Sequence, residues 1–313
     1  MSVYLTRAAD ARCAARGCRC ATRTRVYPSD MTDAEWEILR PEAEQVMAQI
    51  RLATGRPMDH PLRPMLDAVR YLVRNGIEWR AMPVDFPPWT AVHAFHDRWS
   101  CRDLPQRLCH RLRERLRRHG GRNTQPTAAI VDSQSVKSAE WAHPLEVGYD
   151  GGKRITGIKR HLAVDVEGFL LAVVVSAACI DDRLGLKLVL IRLLDLFTRL
   201  KVIWADAGYS GSPLAVWVKA VAGITLEVIT RPVAHQFKVV RRRWVAERSI
   251  GWLMRYRRLC RNFERRNTNA EAMIWWANTM IMTRRLARIH HPPDAQEYQA
   301  RWGQPRPSIP VPT

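Results

Sequence analysis

Apolar residues recur at helical spacing through the first third of the chain and at strand-like spacing through its middle. Thr32-Asp33-Ala34-Glu35 is a capping-box pattern, and Trp36, Leu39, Ala43 and Val46 follow it on one helical face. Pro64 and Asn75-Gly76 bracket a second helix over 64–75, with Met65, Ala68, Val69 and Leu72 as its apolar face. After a loop punctuated by Pro83 and Pro87, residues 89–99 read as a third helix, which could pair with the second as a helix-turn-helix. Asp103 stands where it would cap a fourth helix over 104–118, whose Leu104, Leu108, Leu112 and Leu116 recur every fourth position while arginines take the other faces. Residues 120–126 have the composition of a linker.

Beyond the linker the period shortens. Residues 128–131 form an apolar run that stops at Asp132, as a buried strand does when its carboxyl end meets solvent. The runs 162–166 and 169–175, around Glu167-Gly168, predict a hairpin. A leucine-rich helix over 182–200 precedes a strand over 201–205 that again stops at an aspartate, Asp206. Gly208 and Gly211 loosen the next turn, then 213–222 reads as a helix and 224–229 as a strand. The order is three strands, helix, strand, helix, strand, helix, and the last helix carries Glu247. The pattern predicts an α+β or α/β chain: a basic extension without fixed structure over 1–30, an all-helical domain over 31–122, a mixed-sheet domain over 123–290 and a Pro-rich tail without fixed structure over 291–313.

Charge changes what this architecture is expected to meet. The formal net charge is +20 and the pI about 10.5, which makes a polyanion the default partner. Residues 102–122 hold eight arginines against two acids, a solvated helix face or a set of phosphate contacts. Residues 231–266 hold twelve Lys or Arg against two Glu, so half the excess charge surrounds Glu247. The Arg-rich start resembles an organellar transit peptide, but an upstream start codon or a DNA-touching arm is the preferred reading. The longest uncharged apolar run, 169–180, is shorter than the roughly 20 residues a bilayer span needs, so no membrane partner is expected. Seven cysteines, an odd number without a signal-peptide core, point to a reducing interior. Cys13, Cys18 and Cys20 could be half a metal site, but without a second cluster at ligand spacing they read as structural or incidental thiols.

Two aspartates at strand ends and a glutamate on a late basic helix are what a divalent-metal phosphoryl-transfer site needs, because Mg²⁺ takes oxygen ligands and keeps several waters. Each residue also has a plainer role. Asp132 could cap a turn, Asp206 could make an Asx-turn before Gly208, and Glu247 could pair with Arg243 one turn away. Asp165 and Asp181-Asp182 read as a hairpin acid and helix caps, His161 as a packed or phosphate-touching ring, and Trp79 as a plug over a helical core.

The segments Met31-Thr32-Asp33-Ala34-Glu35-Trp36, Gly76-Ile77-Glu78-Trp79-Arg80-Ala81-Met82-Pro83, Asp132-Ser133-Gln134-Ser135-Val136-Lys137, Lys159-Arg160-His161-Leu162-Ala163-Val164-Asp165, Ala205-Asp206-Ala207-Gly208-Tyr209-Ser210-Gly211 and Trp244-Val245-Ala246-Glu247-Arg248 resemble, in order, the signatures of bacterial DDE transposases of the insertion-sequence five family. The resemblance covers about residues 26–290. It implies an RNase H-like catalytic domain in which Asp132, Asp206 and Glu247 are the catalytic, metal-binding acids, with two Mg²⁺ ions or Mn²⁺ in their place. Arg243 matches the arginine of the signature around the glutamate, Val240 stands where that signature has a tyrosine, and the downstream basic residue falls on Arg255 or Arg258. The expected partner is double-stranded DNA, both element ends and target, gripped by Lys137, Lys159, Arg160, Arg241, Arg242, Arg243, Arg248, Arg255, Arg257 and Arg258.

Helical geometry places Arg243, Glu247, Met254 and Arg258 on one stripe and turns Val245, Trp252, Tyr256 and Leu259 inward. A homodimer or higher oligomer in the DNA complex and a place at the nucleoid of the bacterial cytoplasm complete the expectation. The rival readings are a DNA-binding protein without chemistry, such as a repressor or degenerate transposase, and an RNase H-like nuclease or resolvase that cuts without strand transfer.

Overall fold

Thr32 does open a helix. Its hydroxyl accepts the Glu35 N–H at 3.1 Å, and α1 runs Asp33–Ile50. The other half of the capping box is spent elsewhere: Glu35 is buried against Arg70 and lies 3.5 Å from Arg284. The structure, a computed structural model, describes residues 13, 17–50, 58–229 and 241–292. Residues 1–12, the Pro-rich tail beyond position 292, and the side chains of Arg241 and Arg243 lie outside the described residues.

Helix α2 covers Leu62–Asn75, starting two residues before Pro64, and Gly76 ends it in the left-handed region at φ 70°. A Cβ there would come within 2.9 Å of the Arg257 backbone, so this glycine both stops the helix and admits a later one. Helices α3 (Trp89–Ser100) and α4 (Leu104–His119) follow. Thirteen residues separate α2 from α3, so these two helices are not joined by the tight turn of a helix-turn-helix. Asp103 does not cap α4 with its side chain, since its own φ is +57° and places it in a turn instead. Trp79 packs its ring 4.9 Å from His93 and 5.4 Å from His96, which is the plug over the helices.

The sheet comprises β1 (Ala128–Lys137), β2 (Gly148–Asp150), β3 (Ile155–Val164), β4 (Leu170–Ala177), β5 (Val202–Ala205) and β6 (Thr225–Val228). Its order is β2-β3-β1-β5-β6, with β4 also on β3. β1 pairs antiparallel with β3 and parallel with β5, and β5 pairs parallel with β6. β1 therefore does not end at Asp132. It runs five residues further because β3 keeps pairing with it after β5 has stopped.

Alternation along β1 assigns the two faces. Ala129 and Val131 point to a core closed by α5 (Asp182–Leu196) and α6 (Ser212–Ala222), together with Ala163, Leu171 and Ile203. Gly185 in α5 is needed there, because a Cβ would lie 2.1 Å from the His161 ring. Ile130 and Val136 point the other way, into a core continuous with helices α1 to α4. That face also receives α7 (Arg241–Leu253), α8 (Arg257–Cys260) and α9 (Asn267–His290). α9 packs against α4, α1, α2 and β4. Burial at nearly every position from Ala272 to Met280 leaves it no amphipathic stripe, which is why periodicity did not announce it.

Candidate metal and nucleic-acid site

The parallel pairing of β1 with β5 ends at Ile130 opposite Trp204. Two residues further along each strand stand Asp132 and Asp206, in the same register and with the same alternation parity. Neighbouring strands lie about 4.8 Å apart, so Asp206 comes off the end of β5 beside the stretch of β1 that carries Asp132. Asp132 accepts its neighbour's N–H, from Ser133, at 2.7 Å. Asp206 accepts the Gly208 N–H at 2.9 Å and so caps the single turn Ala207–Tyr209, which is the Asx-turn the sequence allowed. That turn folds Tyr209 into the core at 1% exposure, where burial, then Asp182, Asp132 and Asp206, push its phenol above the ordinary range.

Asp132 shares its face of the sheet with α7. Together with Leu162 it lines a crevice closed by Ala246, Ser249, Ile250 and Leu253 of that helix. α7 is held by buried Val245 and Ala246 and by the Ser249 hydroxyl, which lies 2.9 Å from the Gly168 carbonyl. Glu247, adjacent to Ala246 and one turn before Ile250, is exposed. The three carboxylates are nevertheless not drawn into one knot. Among the described residues, the group of His, Cys, Asp and Glu side chains with ligand atoms all within 4.8 Å of one another is Cys13, Cys18, Cys20 and His60.

A fourth acid near the sheet's end was read from sequence only as a cap. Asp181 does cap α5, accepting the Leu184 N–H at 2.7 Å. Asp182 instead accepts the Ser133 hydroxyl at 2.7 Å and lies 3.5 Å from Lys159, whose Nζ is also 3.5 Å from Asp150. Asp165 is structural: fully buried, it accepts the Glu167 and Phe169 N–H groups and pairs with Arg117. His161 is packed, with Nε2 3.0 Å from the Ser176 hydroxyl, and burial lowers its pKa to about 4, so it stays neutral.

The basic residues divide by exposure. Arg160 is 1% exposed and donates to the Leu259 carbonyl at 2.8 Å; burial pulls its pKa down to about 10. Arg258 is buried on Glu264 at 2.7 Å and donates to the Ile77 carbonyl. It does not continue the stripe of Glu247, because the chain turns at 254–256 between α7 and α8. Lys159 is buried between its two carboxylates. Arg248 is half-buried, donating to the Glu167 carbonyl at 2.7 Å with its guanidinium 4.7 Å from both Trp244 and Trp252. Lys137, Arg242, Arg255 and Arg257 are exposed, Arg242 resting 4.1 Å from the Trp204 ring and 3.2 Å from Glu227.

The family model described as "Transposase DDE domain" matches residues 123–282, just over half of the chain and the stretch that contains Asp132, Asp206 and Glu247. The chain belongs to this DDE transposase family. A second model, described as "Putative transposase of IS4/5 family", matches residues 31–109, so the helices ahead of the DDE domain are of the same kind. The "Putative transposase for insertion sequence element IS402" of Burkholderia cepacia is 28% identical over 142 residues, which cover 42% of this chain and 65% of that relative. The DDE domain thus occupies the mixed sheet and most of α9, and the IS4/5 match occupies α1 to α3 and the start of α4. Among the described residues no helix is long and apolar enough to cross a membrane.

Proposed function

We propose that this chain is the DNA transposase of an insertion sequence, which binds the element's terminal inverted repeats, cuts a strand at each end and joins the freed 3′-hydroxyl to target DNA. The observation that carries the reading is the register of Asp132 and Asp206: both follow the last paired residues of neighbouring parallel strands, on the face where α7 brings Glu247. The donor set is carboxylate oxygen throughout, which suits Mg²⁺ or Mn²⁺ rather than zinc. Asp132, Asp206 and Glu247 would hold two such ions, which supply an activated water and counter-charge for the departing oxygen.

The chain's own contribution is position and charge. An RNase H-like sheet would fix Asp132 on a packed strand and Asp206 at the capped turn just past one, so that neither needs to be ordered when DNA arrives. The third sits on a helix anchored by its neighbours while remaining exposed to a duplex. Arg242, Arg255 and Arg257, with Lys137 at the far end of β1, form the track for flanking phosphates. Arg160 and Arg258 are excluded from it by burial, which leaves Arg255 as the downstream basic residue of the glutamate signature. Residues 31–122 help position the element ends, and a homodimer or higher oligomer on the DNA would let two ends be cut together. The substrate places the protein on DNA in the bacterial cytoplasm.

Cleavage of a supercoiled plasmid carrying the element ends tests the reading. With Mg²⁺ or Mn²⁺ the wild-type chain nicks at the ends, and Asp132→Ala, Asp206→Ala and Glu247→Gln each fall below about a thousandth of that rate. Activity surviving any of the three removes that residue from the site.

A further inference from the structure

Three cysteines near the start of the chain and one histidine forty residues later meet at one point. Cys13 Sγ lies 3.0 Å from Cys20 Sγ, and Cys18 Sγ lies 2.9 Å from Cys20 Sγ. His60 Nδ1 is 3.3 Å from Cys13 Sγ and 3.5 Å from Cys20 Sγ. All four ligand atoms are within 4.8 Å of one another. Cys13 is 0%, Cys20 1% and His60 9% exposed, with Cys18 half-buried.

We propose that Cys13, Cys18, Cys20 and His60 form a structural zinc site that clamps the amino-terminal arm onto the entrance of α2. A tetrahedral zinc with ligands at about 2.0–2.3 Å has ligand atoms separated by roughly 3.5–3.8 Å, so the cluster needs only to open by a fraction of an ångström to admit the ion. Three sulfurs and one imidazole nitrogen are a closed structural set, with no position left for a substrate. The backbone is arranged to present them: Gly17 turns at φ 66°, the Cys18 N–H bonds to the Cys13 carbonyl at 3.3 Å, and Cys20 sits in the single helical turn Arg19–Thr22.

The cluster makes little sense as bare thiols. Its three sulfurs lie within 4.8 Å of one another, where several thiolates would repel each other. A divalent cation is what allows the three to ionise together. A disulfide would use two of the three sulfurs and leave the imidazole without purpose.

The consequence is local. His60 immediately precedes Pro61 and α2, so the ion would hold Cys13, Cys18 and Cys20 against the helical region. Arg23 extends the attachment, pairing with Asp30 at 2.7 Å and Asp85 at 2.8 Å and lying 4.0 Å over the Phe86 ring.

The test is metal content of the full-length chain purified without chelator and with zinc in the growth medium. About one zinc per chain is expected, falling below roughly a fifth of that in Cys18→Ser, Cys20→Ser and His60→Ala. His60→Cys, which rebuilds a four-sulfur set, keeps the zinc, so loss in the alanine variant cannot be put down to misfolding alone. Cobalt loaded in place of zinc shows thiolate-to-metal charge-transfer absorption in the wild type and in His60→Cys. Wild-type protein with less than about a tenth of a zinc per chain, or a Cys13–Cys20 or Cys18–Cys20 disulfide in the intact mass, overturns the assignment.

Discussion

Two stretches of this chain are crowded with arginine, and they do different work. In α4 the guanidiniums are mostly committed to the protein: Arg111 and Arg115 to Glu42, Arg117 to Asp165, and Arg113 buried 4.6 Å over the Phe197 ring. Just past the helix, Arg122 pairs with Glu167. Around α7 and α8, Arg242, Arg255 and Arg257 are exposed, while Arg248 is half-buried on the Glu167 carbonyl and Arg258 is withdrawn onto Glu264. The two segments look alike in composition. What separates them is the supply of carboxylates from distant parts of the sequence, which meet α4 and largely bypass α7. Charge density alone identifies neither a DNA track nor a structural network.

The sharpest way to break the contrast is Arg117→Ala. Its partner Asp165 is fully buried, so removing the cation strands a charge in the core and is expected to cost about 3–5 kcal/mol of stability in urea unfolding. A variant that unfolds like wild type would mean α4 is not tied to the sheet by that pair.

A second effect belongs to the buried histidines. Burial lowers His110 of α4 to about 3 and His161 to about 4, so both prefer the neutral form when folded. Their contribution is complete above the unfolded value near 6.5 and is lost as pH falls from there towards 4. The urea midpoint should drop across that window, and His161→Gln should flatten the drop.

Smaller in stability but specific to DNA is the triple change Arg242→Ala, Arg255→Ala and Arg257→Ala. Melting temperature should hardly move, whereas the slope of log affinity against log salt for a duplex should shrink by roughly three. An unchanged slope would relocate the DNA track. Least of all, Arg118→Ala at an exposed position of α4, 3.8 Å from Glu114, should change stability by under about 0.5 kcal/mol.

Helices α1 to α4 and, apart from β2 and the first seven residues of β3, the element order of the sheet were legible because apolar runs record buried strands, and the stop of one run placed Asp206 at a strand end. Two kinds of feature were not. α9 is buried on nearly all sides, so it has no period to read, although it joins the helices to the sheet. The continuation of β1 past Asp132 depends on β3, a partner that one strand's pattern cannot show. Among the candidate DNA contacts, Lys159, Arg160 and Arg258 looked the same as Arg255 in sequence. Asp150, Asp182 and Glu264, with the carbonyls of Leu259 and Ile77, draw those three inward. His60 illustrates the same limit: a fourth member of the cysteine cluster, forty residues away, carries no spacing signature.

The central claim, that these acids serve transposition rather than cutting or binding alone, is tested most directly by strand transfer. A labelled duplex bearing the element's terminal repeat, incubated with the chain, Mg²⁺ and a target plasmid, should become covalently joined to the plasmid, and Asp206→Ala should abolish the joined product. End cleavage without any joining would contradict the account in favour of a nuclease, and binding without cleavage would contradict it in favour of a DNA-binding protein.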